Sequence, residues 1–102
     1  MPSLAQLEKL LAVEPNDAFV LYAIAQEHAK ARAHEQAVSF YDRCLAADRL
    51  YCYAYYHKAR SLEAMGRLDQ VRGTLEAGVA AAKEAREAKA LSELSGYLAT
   101  LC

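Results

Sequence analysis

Shifted by 34 residues, the chain falls on itself. Leu21 lands on Tyr55, Ala25 on Ala59, His28 on Leu62, Ala37 on Val71, Tyr41 on Leu75, Cys44 on Gly78 and Leu45 on Val79, with size and polarity largely kept. The same shift carries Leu7 to Tyr41, Leu10 to Cys44, Leu11 to Leu45 and Glu14 to Asp48, so the chain opens with half a unit. No other feature constrains the fold as much. A unit this short cannot bury its own apolar face, so successive units have to stack on one another.

Inside each unit the apolar residues recur at helical spacing, as in Phe19, Tyr22, Ile24 and Ala25 or Val38, Tyr41 and Leu45. Each unit therefore reads as two helices. Pro15 and Asn16 punctuate the first junction, with Asn16 as the expected N-cap of a helix over 17–31. Further helices are expected over 34–47, 51–64 and 68–83. Gly66 is placed to take the left-handed conformation where the 51–64 helix ends. Leu91, Leu94, Leu98 and Leu101 form an apolar stripe on a last, covering helix, with a break expected near Glu84 to Ala88.

Composition agrees with an all-helical chain. The 102 residues include 22 Ala and 14 Leu but only 8 Val, Ile and Thr together, which leaves no material for a sheet. This length supports one core region and argues against a two-domain enzyme with an interdomain cleft. The 12 basic and 13 acidic residues are interspersed, without the basic excess of a nucleic-acid binder. Cys44, Cys52 and Cys102 form neither an even framework nor a CxxC pair, and no signal-like segment opens the chain, which points to a reducing, cytoplasmic setting. No apolar run is long enough to span a membrane.

The repeated pattern resembles the tetratricopeptide repeat, whose units place W-x2-L-G-x2-Y on one helix and A-x3-F on the next. The first unit carries Leu21-x2-Ile24-Ala25-x2-His28, then Ala37-x3-Tyr41 and Cys44 at a position that favours small residues. In the second, Tyr55-x2-Lys58-Ala59-x2-Leu62 is followed by Val71-x3-Leu75 and Gly78. The small residues let helix axes approach to about 8 Å. This resemblance implies one domain over 1–102: an all-α, right-handed superhelical stack of antiparallel helix pairs, an α-solenoid of about six helices. Its parts are a half repeat at 3–15, repeats at 17–50 and 51–83, and a capping helix at 87–101. Two departures stand out. Arg49 occupies the place of the usual Pro, and Lys58 stands where an aliphatic side chain is normally buried. We expect the Lys58 stem to lie along the core with its ammonium reaching water; the alternative is a less buried helix end.

The resemblance further implies a concave surface lined by the first helix of each unit. Its partner-facing residues would be Phe19, Tyr22, Gln26 and Lys30 with Tyr53, Tyr56, His57 and Arg60, an aromatic and mildly basic set suited to a protein or peptide partner. Tyrosines at helical spacing are often plain packing residues, and exposure is expected more of Tyr22 and Tyr56 than of Phe19 and Tyr53. One subclass of the family clamps the carboxylate of chaperone tails with Lys and Asn. Tyr22 and Gln26 occupy matching places here, so that clamp is not reproduced.

Catalytic and metal chemistry find little support. His28, His34 and His57 lie on separate predicted helices, with His28 at a packing position and His34 at an exposed turn. Cys52 and His57 lack an orienting third group, and no metal-ligand spacing or phosphate loop is present, so no cofactor is expected. Cys44 reads as a small core residue, and Cys102 as an accessible terminal thiol. A non-enzymatic interaction module is the expected function. Self-association is the alternative, through Leu4, Leu7 and Leu11 or Leu94, Leu98 and Leu101.

Overall fold

A computed structural model describes residues 2–101, which leaves the expectation about Cys102 outside the described residues. Six helices account for their regular structure, with no strand among them: α1 Leu4–Val13, α2 Ala18–Lys30, α3 His34–Ala47, α4 Cys52–Ala64, α5 Leu68–Ala85 and α6 Ala88–Ala99.

Local chemistry explains the starts. Ser3 and Gln6 form a reciprocal capping box before α1: the Gln6 N–H donates to Ser3 Oγ at 3.2 Å and the Ser3 N–H to Gln6 Oε1 at 2.8 Å. The cap of α2 is Asp17 and not Asn16; its Oδ1 accepts from the Val20 N–H at 3.2 Å. A cap has to stand immediately before the first helical residue, which is Ala18, and a carboxylate there also meets the positive end of the helix.

Three helix ends close alike. Arg32, Gly66 and Arg86 have φ of 62°, 74° and 58°, and the next N–H reaches back five residues: Ala33 to His28, Arg67 to Leu62 and Glu87 to Ala82. Arg32 and Gly66 are one 34-residue period apart. The turns after α1 and α3 also share a pattern, with Glu14 and Asp48 donating to Leu10 and Cys44 and then accepting from Asp17 and Tyr51. The period breaks after α5. Helix continues through Ala80-Ala81-Ala82-Lys83-Glu84-Ala85, a run of strong helix formers with nothing to stop it, and turns only at Arg86. As a result α6 begins 36 residues after α4, whereas α4 begins 34 after α2.

Each helix packs on the next, and α4 also touches both α2 and α6, whereas α1, α3 and α5 do not touch one another. The two layers therefore differ in spread, and the stack curves with α2, α4 and α6 on its inner side. Buried side chains follow the stack in three successive clusters. Leu7, Val20, Ala23 and Ile24 join α1 to α2. Leu21, Ala25, Ala37, Tyr41, Cys44 and Ala54 join α2, α3 and α4, and Ala59, Leu62, Val71, Leu75, Ala90 and Leu94 belong to the cluster among α4, α5 and α6. A solenoid distributes its core in this way, because each unit covers only its neighbours.

The two departures from the repeat pattern are accommodated. Lys58 is only 22% exposed, and its Nζ emerges 2.7 Å from Asp42 Oδ1 on α3, so the stem packs while the charge is met at the edge. Arg49 is held from both sides: its carbonyl accepts from Tyr55 Oη at 2.7 Å and its guanidinium pairs with Glu84 on the extended end of α5.

Candidate functional site

The inner layer gathers aromatic side chains because α2 repeats them at helical spacing and α4 brings an adjacent set to the same side. Tyr22 is half-buried, its ring centroid 4.9 Å from Tyr51 and 5.8 Å from His57. His57 lies 5.2 Å from Tyr56, and Tyr56 lies 5.4 Å from Tyr97 of α6. Tyr51, Tyr22, His57, Tyr56 and Tyr97 thus form one unbroken row of rings, reaching from the turn before α4 across α2, α4 and α6.

A polar strut fixes the α2 end of this row. Gln26 Nε2 donates to Tyr22 Oη at 3.3 Å, and its Oε1 accepts a short hydrogen bond from the hydroxyl of the fully buried Tyr41. Burial, with help from Tyr51 and Cys44, raises the Tyr22 phenol to about 12. His57 goes the other way. Burial first and the Arg60 charge second lower its pKa below the usual histidine value, so the ring is uncharged at neutral pH.

Two recesses flank α4. One of about 390 Å³ lies between α2 and α4, walled by Gln26, Lys30, His34, His57, Arg60 and Ser61 among others. His34 is the first residue of α3, half-buried, and its Nδ1 lies 3.1 Å from Ser61 Oγ. The exposed turn expected for it is not observed, because the first turn of α3 lies against α4. The other recess, about 540 Å³, lies between α4 and α6 and is walled by Tyr56, Arg60, Glu63, Glu93 and Tyr97 among others. Tyr97 donates a short hydrogen bond to the Glu63 carboxylate. Partial desolvation first, and then the Glu93 carboxylate beside it, hold the Tyr53 phenol above its usual pKa.

Most of the sequence-derived set comes together on this side. Tyr22, Gln26, Tyr53, Tyr56 and His57 are half-buried, and Lys30 and Arg60 are exposed. Phe19 departs from expectation: it is 66% exposed, more open than either Tyr22 or Tyr56. Charge departs too. Lys30 pairs with Glu27 at 3.1 Å, and Glu63 of α4 and Glu93 of α6 line the second recess, so the face carries Arg60 and the paired Lys30 at one end and two carboxylates at the other instead of being mildly basic throughout.

Tyr51, Glu93 and Tyr97 lie outside the sequence-derived set, and His34 enters it only as an exposed-turn residue. A signal for α6 does exist: Leu91-x2-Leu94-Ser95-x2-Leu98 repeats the spacing of Leu21-x2-Ile24-Ala25-x2-His28, displaced by 36 residues from the second unit instead of 34. An α5 of 18 residues against 14 in α3, followed by a turn two residues shorter, makes the net shift that conceals it.

Cys52 and His57 are not brought together. Cys52 packs in the core of α4, α5 and α6 with its thiol donating to the Leu50 carbonyl at 3.4 Å, while the His57 ring lies against Tyr22, Tyr41 and Tyr56. Burial pushes the Cys44 thiol up to about 12 and raises that of Cys52, so both stay protonated and weakly nucleophilic. Among the described residues, no three His, Cys, Asp or Glu side chains converge to hold a metal, and no helix is long and apolar enough to cross a membrane.

No protein-family profile and no curated protein matches the chain. Solved structures do. A tetratricopeptide repeat domain protein from Salinibacter ruber, solved by NMR, is 32% identical over 85% of this chain and 88% of that one, with a TM-score of 0.79. A crystal structure of a tetratricopeptide repeat domain protein from the same organism gives 32% identity, coverage of 83% and 94%, and a TM-score of 0.77. PcrH, crystallised with the chaperone binding region of PopD, shares the fold at a TM-score of 0.89 over 96% of this chain and 74% of that one, at 16% identity. The stacked helix pairs, the small residues at their crossings and the Salinibacter relatives agree: this chain belongs to the tetratricopeptide repeat family.

Proposed function

We propose that this protein is a small non-enzymatic interaction module that holds a segment of a protein partner against α2, α4 and α6. The observation that carries this reading is the row of rings from Tyr51 to Tyr97, lying between two open recesses on the inner side of the stack. Half-buried rings present apolar surface that a partner can finish covering, and burying one apolar anchor contributes roughly 1.5–3 kcal/mol. Phe19, Tyr22, Gln26, Lys30, Tyr53, Tyr56, His57 and Arg60 are the proposed contacts, joined by Glu93 and Tyr97. That PcrH is seen with a binding region of PopD favours a protein segment as partner. The proposed setting is the reducing cytoplasm, in keeping with the buried free thiols Cys44 and Cys52.

Exchanging Tyr56 for Ala together with Arg60 for Glu tests the reading by affinity purification from the native cell. The proposed contact surface predicts loss of the partners recovered with wild type, with the helical circular dichroism signal unchanged. Recovery of every partner by the double variant would place binding elsewhere.

Self-association is the second reading, and a specific observation favours it: Leu10 and Val13 on α1 are 51% and 78% exposed. Two of the residues nominated from the sequence need correction. Leu7 and Leu94 are buried in the chain's own core, and Leu4, Leu11, Leu98 and Leu101 are half-buried against it. A contact through α1 would use Leu10 and Val13. Light scattering over a concentration series should then show mass rising with concentration; a constant monomer mass removes this reading.

A further inference from the structure

The two recesses differ in charge, and α4 alone separates them. In the α2–α4 recess the charged groups are Lys30, which shares its charge with Glu27 at 3.1 Å, and Arg60. In the α4–α6 recess they are Glu63 and Glu93, with Arg60 on the shared wall. Arg60 is exposed and makes no ion pair among the described residues. The carboxylates are not loosely solvated: Tyr97 fixes Glu63 by a hydrogen bond, and Glu93 stands beside Tyr53. Both recesses, at about 390 and 540 Å³, are of the size that takes a long side chain or a small ligand.

Resting on the proposed function of this face, we infer that the partner segment carries one acidic and one basic residue, about three positions apart in an extended chain. The acidic side chain enters the α2–α4 recess beside Lys30 and Arg60. The basic one enters the α4–α6 recess beside Glu63 and Glu93, with apolar positions between them lying on Tyr22 and Tyr56. The spacing follows from geometry. Neighbouring helix axes lie roughly 8–10 Å apart, and an extended chain advances about 3.3 Å per residue, so one helix width corresponds to about three residues. A partner of uniform charge fits one recess and is repelled by the other, which separates this inference from a purely anion-binding groove.

Selection from a random twelve-residue peptide library on the full chain tests it, followed by anisotropy titration of the selected peptides in synthetic form. Selected peptides should pair an acidic and a basic residue two to four positions apart. Converting either one to glutamine should weaken binding about two- to fivefold, the size expected of a partly exposed charge pair. Lys30→Glu should abolish the preference for the acidic residue and leave the basic one. Glu93→Lys should do the opposite, and the milder K30Q and E93Q guard against effects on folding. If selected peptides depend on Tyr56 but carry no such pair, or keep it unchanged with both charge variants, the charge pattern is wrong while the binding face stands. If no peptide binds in a Tyr56-dependent way, the binding face fails and this inference with it.

Discussion

Tyr41→Ala is expected to lower the free energy of unfolding by about 3–5 kcal/mol, the range for truncating a large buried aromatic. Tyr41 is the largest of the fully buried side chains and lies where α2, α3 and α4 meet. Its ring stands 6.0 Å from Tyr22 and 6.5 Å from His57, so it supports the binding row from behind. Small domains have only about 5–15 kcal/mol in total, and a loss of this size leaves little margin. Tyr41→Phe separates packing from polarity. It keeps the ring and removes the hydroxyl that donates to Gln26, which should cost about 1 kcal/mol. Urea denaturation of the two variants beside wild type measures both quantities. An alanine variant within 1 kcal/mol of wild type would mean that the ring is not packed between the repeats.

The second large effect lies at Gly78, where α5 crosses α4 and α6. A Cβ there would stand 2.7 Å from Tyr55 Cβ and 3.0 Å from Leu94 Cδ2. Tyr55 Cβ is carried directly on the α4 backbone, so relief requires the helices themselves to separate. Gly78→Leu should therefore destabilise by about 3 kcal/mol, the upper part of the usual overpacking range. A same-helix control isolates the cause. Gly73 lies in α5 with nothing within 4 Å of a built Cβ, so Gly73→Ala should stabilise by about 0.5–1 kcal/mol through helix propensity alone. Gly78→Ala gains the same propensity but meets Tyr55, and should fall below Gly73→Ala by about 1–3 kcal/mol. Thermal melts that raise both alanine variants equally would falsify the close crossing.

Much of this architecture is legible because repetition multiplies weak local signals. Ala25, Ala37, Cys44, Ala59 and Gly78 are all buried, as their places in the period imply, and at Gly78 the crossing leaves no room even for a Cβ. The α2 and α4 members of the binding face are legible for the same reason: a 3.6-residue turn puts Tyr22, Gln26 and Lys30 on one side whatever the helix packs against. Legibility fails where the period slips. A four-residue extension of an alanine-rich helix, half offset by a shorter turn, carries no local mark, yet it rotates and displaces all that follows, which hides Glu93 and Tyr97 and makes the face read as basic. His34 fails for a different cause. Its burial depends on Ser61, 27 residues away, and helix periodicity says nothing about such a partner.

Helical content, the stacked plan and the slim residues at the crossings are written into the residue order, since propensity and apolar spacing act over a few neighbours. The ring row joining three helices, the pairing of Lys58 with Asp42, the neutral His57 and the opposed charges of the two recesses come only from how the helices lie together. Each depends on side chains distant in the chain being held at a few ångströms, and on the water that their packing excludes.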